Sequence, residues 1–199
     1  MTAGLLLAPG ASADRNQPAL VAIEEAVAPL GVTVARIDFP YTAAGRRTPD
    51  RPPVLVATVV DEAAALSRRT SLGSGRLVLG GRSMGGRICS MAVAEGLGAA
   101  GLVLVSYPLH PPGRPDRLRS DHFPRIAVPC LFVSGTRDAF ATPAELESAT
   151  AAIAGAVTHR WLDGGDHALR GRDHLVALEV ATWTSALLGL APGGARTAG

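Results

Sequence analysis

Short runs of consecutive apolar residues alternate along this chain with longer stretches in which apolar residues recur every three or four positions. Uninterrupted apolar runs are typical of strands buried on both faces, and the longer stretches are typical of amphipathic helices. The pattern predicts six strands, at Leu5–Ala8, Val32–Phe39, Arg76–Gly80, Gly101–Ser106, Val128–Ser134 and Val157–Leu162. It predicts helices at Gln17–Leu30, Val54–Thr70, Ser83–Glu95 and Asp173–Leu188, one more starting at Pro143, and a loop at Tyr41–Pro53.

This order of elements predicts the α/β class, with a mostly parallel sheet of about six strands and helices on both faces, in three layers. The length of 199 residues fits a single domain, assigned to residues 1–190, followed by a flexible tail at residues 191–199. In such sheets ligands bind at the carboxyl ends of the strands. We therefore expect functional residues in the loops directly after strands.

Composition narrows the possible partners. The chain is 47% hydrophobic and 18% charged with a formal net charge of +2, which is typical of a globular domain with a sizeable core. Few aromatic residues and no basic stripe argue against nucleic-acid binding, and no apolar stretch is long enough to span a bilayer. Cys89 and Cys130 lack metal-ligand or CxxC spacing, so we expect buried free thiols, no metal site and no cofactor. The N-terminus is a poor match to a signal peptide, which favours a cytoplasmic protein.

The residues after the third predicted strand, Gly81 to Gly85, read Gly-Arg-Ser-Met-Gly and match the pattern G-x-S-x-G. A nucleophilic serine on a sharp strand-to-helix turn requires small residues two positions before and after it, because larger side chains would collide there. Free N–H groups at the start of the following helix are suited to holding an oxyanion. The pattern favours Ser83 as a nucleophile over the alternative, in which Ser83 is only an N-cap in a glycine-rich loop.

A serine hydroxyl needs a base to become a nucleophile near neutral pH, so a histidine and an acid should follow. The loops after the fifth and sixth predicted strands end in Asp138 and His167. Serine, then acid, then histidine is the order expected on this kind of sheet, with His167 as general base and Asp138 orienting its ring. Asp163 and Asp166 are the rival acids, and either suits a loop or helix-cap role instead.

The loop after the first strand, from Ala8 to Ser12, should supply the second oxyanion donor. Gly10 lets the backbone approach closely, so the Ala11 N–H is expected beside the Met84 N–H. Gly10 and Ser12 are then candidate substrate contacts.

The fourth predicted strand is followed by Tyr107 and His110, which we expect to line one wall of the pocket. A plain loop role for His110 is the favoured alternative. Surface or packing roles suffice for the three other histidines, His122, His159 and His174.

These segments together resemble the α/β-hydrolase superfamily, and more closely its compact dienelactone-hydrolase-related branch, which includes the testis-expressed and KANL-type hydrolase-like proteins. The matching segments span Leu5–Pro18, Arg36–Leu55, Leu77–Ser90, Ser106–Phe140 and Leu162–Leu169. The resemblance implies the eight-stranded fold reduced to about six strands, without the first hairpin and without a large cap domain. It also implies Ser83, Asp138 and His167 as the triad.

The sequence departs from the family at Pro9, where the family usually has a histidine before Gly10. That histidine is normally structural, so the backbone donor at Ala11 is still expected. Arg46 and Arg47 match the family's GRR segment, and either bind an acidic substrate group or pair with Asp50 and hold the loop. The segment Pro111–Pro124 holds five prolines or glycines among fourteen residues and is expected to form a stiff, irregular cover.

We therefore expect a serine hydrolase that cleaves carboxylic esters or related acyl bonds through an acyl-enzyme. Its partner would be a small ester-like molecule, with no nucleic acid and no membrane, and the sequence leaves a homodimer open. The alternatives are a non-catalytic binding or scaffold protein that kept the fold, and an acyltransferase.

Overall fold

A computed structural model describes residues 2–190 of the chain, so the predicted tail at residues 191–199 lies outside the described part. The strands are β1 (Ala3–Ala8), β2 (Val32–Arg36), β3 (Leu77–Arg82), β4 (Gly101–Val105), β5 (Cys130–Gly135) and β6 (Val157–Leu162). The helices are α1 (Pro18–Val27), α2 (Pro40–Ala43), α3 (Pro52–Thr70), α4 (Met84–Ala94), α5 (Pro143–Thr150) and α6 (Asp173–Leu188). None of these helices combines the length and apolar character that crossing a bilayer requires.

The six strands form one sheet in the order β2-β1-β3-β4-β5-β6, and every neighbouring pair is parallel. The predicted α/β class with a parallel six-stranded sheet is thus confirmed. Because all strands run the same way, the loops that follow β1, β3, β4, β5 and β6 emerge at one edge of the sheet. This edge is where the sequence predicts the functional residues.

Helices cover both faces of the sheet and complete three layers. Helices α1 and α6 pack on one face, over the side chains of Leu5 and Leu7 from β1. Helices α3 and α4 pack on the other face with Leu6, and α5 adds Leu146 to the same cluster. The inner strands β1, β4 and β5 are buried on both sides, which explains why their sequences are continuously apolar, whereas the edge strands β2 and β6 are only partly buried.

The structure corrects the bounds of two predicted strands and adds one short helix. Strand β2 ends at Arg36 rather than Phe39, because Pro40 opens the short helix α2 inside the predicted loop. Phe39 is nevertheless fully buried, so its apolar character reflects the core rather than strand pairing. Strand β5 begins at Cys130 rather than Val128, because Pro129 lacks an N–H and contributes only its carbonyl, which accepts from Leu102.

Candidate active site

Ser83 lies at the turn between β3 and α4, in a backbone conformation that few L-residues adopt, with φ 50° and ψ −116°. Its N–H donates to the Val105 carbonyl at 2.8 Å, which extends the pairing of β3 with β4 into the turn. A Cβ at Gly81 or Gly85 would lie 2.2 or 2.1 Å from the Ala8 carbonyl oxygen, so only glycine fits at either position. The Ser83 side chain makes no capping bond to α4, so the interpretation as an ordinary side-chain N-cap is wrong.

The Ser83 side chain instead faces His167. Ser83 Oγ lies 2.9 Å from His167 Nε2, and His167 Nδ1 lies 2.8 Å and 3.0 Å from the two carboxylate oxygens of Asp138. Asp138 is 3% exposed, so its carboxylate is shielded from water. The structure therefore joins the three predicted triad residues in one hydrogen-bonded chain.

The loops after β5 and β6 bring the histidine and the acid together. The Arg137 N–H donates to the Gly165 carbonyl at 2.8 Å, which ties the two loops side by side. The rival acids have other partners. Asp166 Oδ1 accepts from the Ala168 and Leu169 N–H groups, and Asp163 Oδ1 accepts from Thr136 Oγ1 at 3.2 Å. Both carboxylates therefore accept hydrogen bonds from loop N–H groups or a loop hydroxyl, which agrees with the alternative loop role proposed for them.

Two further side chains hold His167 in place. The ring of Phe140 stacks on the imidazole with centroids 3.9 Å apart, and the Phe140 N–H donates to Asp138 Oδ1 at 2.8 Å. Arg82 donates from Nη2 to the His167 carbonyl at 2.6 Å. Burial lowers the pKa of Arg82, and the nearby carboxylate of Asp173 opposes that shift. The imidazole is thus fixed through its ring face, its Nδ1 atom and its backbone.

A cavity of about 450 Å³ opens beside Ser83. Its lining residues are Gly10, Ala11, Arg82, Ser83, Met84, Arg87, Pro108, Arg119, Phe140 and His167. Met84 is the first residue of α4, so its N–H has no acceptor within the helix and is free for a ligand. The Gly10 N–H donates to Gln17 Oε1 at 3.0 Å, which anchors the loop that carries Ala11. The two predicted oxyanion donors, Met84 and Ala11, therefore both border the cavity with Ser83.

Of the other predicted substrate contacts, one lines the cavity and three do not. Gly10 lines the cavity, whereas Ser12 is exposed on the loop with φ 62° and lies outside the lining. Tyr107 and His110 also lie outside it. Tyr107 is buried among the rings of Phe123 and Phe132, and its hydroxyl donates to the Arg119 carbonyl at 2.7 Å. His110 is 4% exposed, with Nδ1 beside the Pro111 carbonyl and Nε2 3.4 Å from Glu145.

Sequence reasoning missed five lining residues, namely Arg82, Arg87, Pro108, Arg119 and Phe140. Arg87 lies four positions after Ser83 on the predicted helix, and that spacing is a signal that could have identified it. The arginines singled out instead, Arg46 and Arg47, are exposed and do not line the cavity. Arg46 pairs with Asp50 at 2.8 Å, as the structural alternative for this segment predicted.

Other titratable groups lie behind the site in the core. Burial raises the pKa of Cys89 and of Cys130 to about 12, as fits small core residues. His122 is buried with Nε2 2.8 Å from Ser90 Oγ, and burial followed by the charge of Arg87 lowers its pKa to about 4. Within residues 2–190, no three His, Cys, Asp or Glu side chains are arranged to hold a metal ion.

Solved structures share this fold at low sequence identity. An α/β serine hydrolase homologue from Coxiella burnetii superposes with a TM-score of 0.75 at 18% identity, over 91% of this chain and 84% of that one. Dienelactone hydrolase from Anabaena variabilis gives 0.75 at 19% identity, over 93% and 86%. Est1E from Butyrivibrio proteoclasticus gives 0.74 at 14% identity, over 94% and 89%.

The sequence itself also matches a known family over nearly its whole length. The model of the α/β hydrolase domain family covers residues 1–187, which include every strand, the turn at Ser83 and the loops that carry Asp138 and His167. The chain therefore belongs to the α/β-hydrolase family.

Proposed function

We propose that the protein is a serine hydrolase that cleaves carboxylic esters or related acyl bonds through an acyl-enzyme. The observation that carries the proposal is the chain of hydrogen bonds at the cavity wall, with 2.9 Å from Ser83 Oγ to His167 Nε2 and 2.8 Å from His167 Nδ1 to Asp138. Such a chain gives the serine a base and the base an orienting anion. The cavity supplies room for a small ester beside the hydroxyl.

In the acylation step, Ser83 Oγ attacks the ester carbonyl while His167 Nε2 takes the hydroxyl proton. The Asp138 carboxylate holds the Nδ1–H and stabilises the imidazolium that forms. The Met84 and Ala11 N–H groups bind the oxyanion of the tetrahedral intermediate. When that intermediate collapses, the bond to the alcohol breaks and His167 returns the proton to the leaving oxygen.

Deacylation repeats these steps with water. His167 takes a proton from a water molecule that attacks the acyl-Ser83 carbonyl, the same two N–H groups hold the oxyanion, and Ser83 leaves with the proton from His167. The products are the carboxylic acid and the regenerated serine. The stacked ring of Phe140 keeps the imidazole in position through both halves of the cycle.

Hydrolysis of p-nitrophenyl butyrate tests the proposal. Ser83→Ala should lower kcat/KM by at least about a thousandfold, because a missing nucleophile removes most of the catalysis in Ser-His-Asp enzymes. Ser148→Ala is the matched control, because Ser148 is exposed on α5 and away from the cavity. An unchanged rate in Ser83→Ala, with the fold intact by circular dichroism, would refute the assignment.

Labelling with a fluorophosphonate separates an enzyme from a scaffold. The reagent phosphonylates activated serines, so we expect one adduct on the peptide that holds Ser83 and none in Ser83→Ala. Folded wild-type protein that takes no label and hydrolyses no ester would favour the non-catalytic scaffold instead.

A further inference from the structure

Three arginines line the cavity, namely Arg82, Arg87 and Arg119. Arg87 lies in the first turn of α4, one turn after Ser83, and Arg119 comes from the irregular segment after β4. Neither guanidinium belongs to any of the ion pairs formed within residues 2–190. In the same described part of the chain, Arg87 Nε is buried and has no hydrogen-bond partner. The cavity therefore presents unneutralised positive charge beside the serine.

The two positive charges act on each other. Burial lowers the pKa of Arg119, and the charge of Arg87 lowers it further. Two cations held at one cavity without a counter-anion repel each other, and an anion bound between them would remove that cost. A guanidinium also presents a planar fork of N–H donors that matches the two oxygens of a carboxylate.

The backbone carbonyl of each arginine accepts a hydrogen bond from the hydroxyl of a buried residue. The Arg87 carbonyl accepts from Ser90 Oγ at 2.8 Å, and the Arg119 carbonyl accepts from the Tyr107 hydroxyl at 2.7 Å. The Arg119 N–H also donates to the Leu109 carbonyl at 2.7 Å. Both backbone hydrogen-bonding groups of Arg119 are thus engaged, although residues 112–118 before it are exposed. Such anchoring is expected for side chains that must meet a ligand in one arrangement.

We propose that Arg87 and Arg119 bind a carboxylate on the substrate, so that the preferred esters carry a second, negatively charged group. The inference rests on the proposed function, since the ester carbonyl at Ser83 and the carboxylate at the arginines belong to one molecule. Arg82 is not part of this subsite, because the carboxylates of Asp173, Asp138 and Asp166 lie near its charge and its Nη2 donates to the His167 carbonyl at 2.6 Å. Arg119 makes one long side-chain contact, from Nη1 to the Pro108 carbonyl at 3.5 Å. The volume of about 450 Å³ suits a small acyl group with such a charge.

The test compares esters that differ only in charge. p-Nitrophenyl hydrogen adipate and its methyl ester place the charge on the acyl side. 4-(Butanoyloxy)benzoate and its methyl ester place it on the alcohol side. Wild type should prefer the charged member of one pair by kcat/KM. Arg87→Gln and Arg119→Gln should each reduce that preference by about tenfold, the usual effect of losing one charge-assisted hydrogen bond.

Arg69→Gln is the matched control, since it removes one exposed charge on α3 and should leave the preference unchanged. Arg87→Lys keeps the charge but not the fork, so it should recover only part of the preference. Equal kcat/KM for charged and neutral esters in wild type would overturn the subsite, as would a preference that survives in both glutamine variants. Either result leaves the hydrolase proposal standing.

Calorimetric binding of adipate to the Ser83→Ala variant tests the subsite without turnover. Binding that is lost when Arg87→Gln is added supports the subsite even where no ester is hydrolysed, a result in which only the hydrolase proposal fails. Absence of binding, or binding that Arg87→Gln leaves unchanged, overturns the subsite.

Discussion

Two substitutions at Ser83 separate the loss of the nucleophile from the relief of backbone strain. The conformation at this residue, φ 50° and ψ −116°, is one that L side chains rarely adopt. Holding a non-glycine residue in such a region costs about 1–3 kcal/mol, a cost that glycine largely avoids. Ser83→Ala and Ser83→Gly both remove the hydroxyl and its hydrogen bond to His167, but only Ser83→Gly also relieves the strain.

The expected difference in the free energy of unfolding between the two variants is the balance of two opposing effects. Glycine recovers about 1–3 kcal/mol of strain and loses about 0.4–1 kcal/mol through the greater freedom of the unfolded chain. The net effect is about 1 kcal/mol in favour of Ser83→Gly. For a domain of this size, that difference raises Tm by about 2–4 °C relative to Ser83→Ala.

Urea and thermal unfolding of the two variants at pH 7 measure this difference, with equal m-values as the condition for comparing their midpoints. Both variants should be inactive on p-nitrophenyl butyrate. A glycine variant that unfolds at the same Tm as the alanine variant, or lower, would refute the reasoning. The backbone at this turn would then carry no stored strain.

Two further predictions concern the buried acid and a buried histidine. Asp138→Asn should lower kcat by about ten-thousandfold while the chain stays folded, because an amide cannot hold the protonated Nδ1 in the correct tautomer; a loss below tenfold would contradict the orienting role. The pKa of His122 falls from 6.5 to about 4 on folding, through burial and then the charges of Arg87 and Arg125. As the pH falls, the unfolded chain therefore takes up this proton before the folded chain does. The contribution of His122 to the free energy of unfolding should be constant above pH 6.5 and decline toward pH 4. Urea midpoints across that range should decline less in His122→Gln, and equal slopes would exclude this cause.

The sequence predicted the centre of the sheet well because β1, β3, β4 and β5 are buried on both faces. Four continuously apolar runs separated by helical patterns leave few arrangements other than a parallel sheet between two helical layers. The edge strands β2 and β6 include polar residues and are only partly buried. In such a sheet the end of each strand determines where the next loop emerges. The predicted order of Ser83, Asp138 and His167 therefore also predicted that they would lie at one edge, and the structure places them within hydrogen-bonding distance.

The walls of the cavity were harder to predict, because they depend on irregular backbone. Directly after β4, Ser106 adopts a left-handed conformation with φ 47°, which breaks the alternation of side chains along the strand. As a result Tyr107 points into the core and Pro108 reaches the cavity. Arg119 reaches the cavity from a segment with no helical or strand period, so no pattern in the sequence indicates its direction.

The hydrogen bond from the Ser83 N–H to the Val105 carbonyl holds the turn at Ser83 against the sheet, and among the described residues no such bond holds the exposed residues 112–118 there. Because this amide is bonded to the last residue of β4, we expect it to exchange with solvent only when the pairing of β3 with β4 opens. The exposed backbone at residues 112–118 should open locally. Changes of length or sequence in that outer segment can therefore move Arg119 without disturbing the turn at Ser83. The part of the proposed carboxylate subsite that Arg119 supplies can thus change separately from the turn at Ser83, whereas Arg87 lies on the helix that begins at that turn.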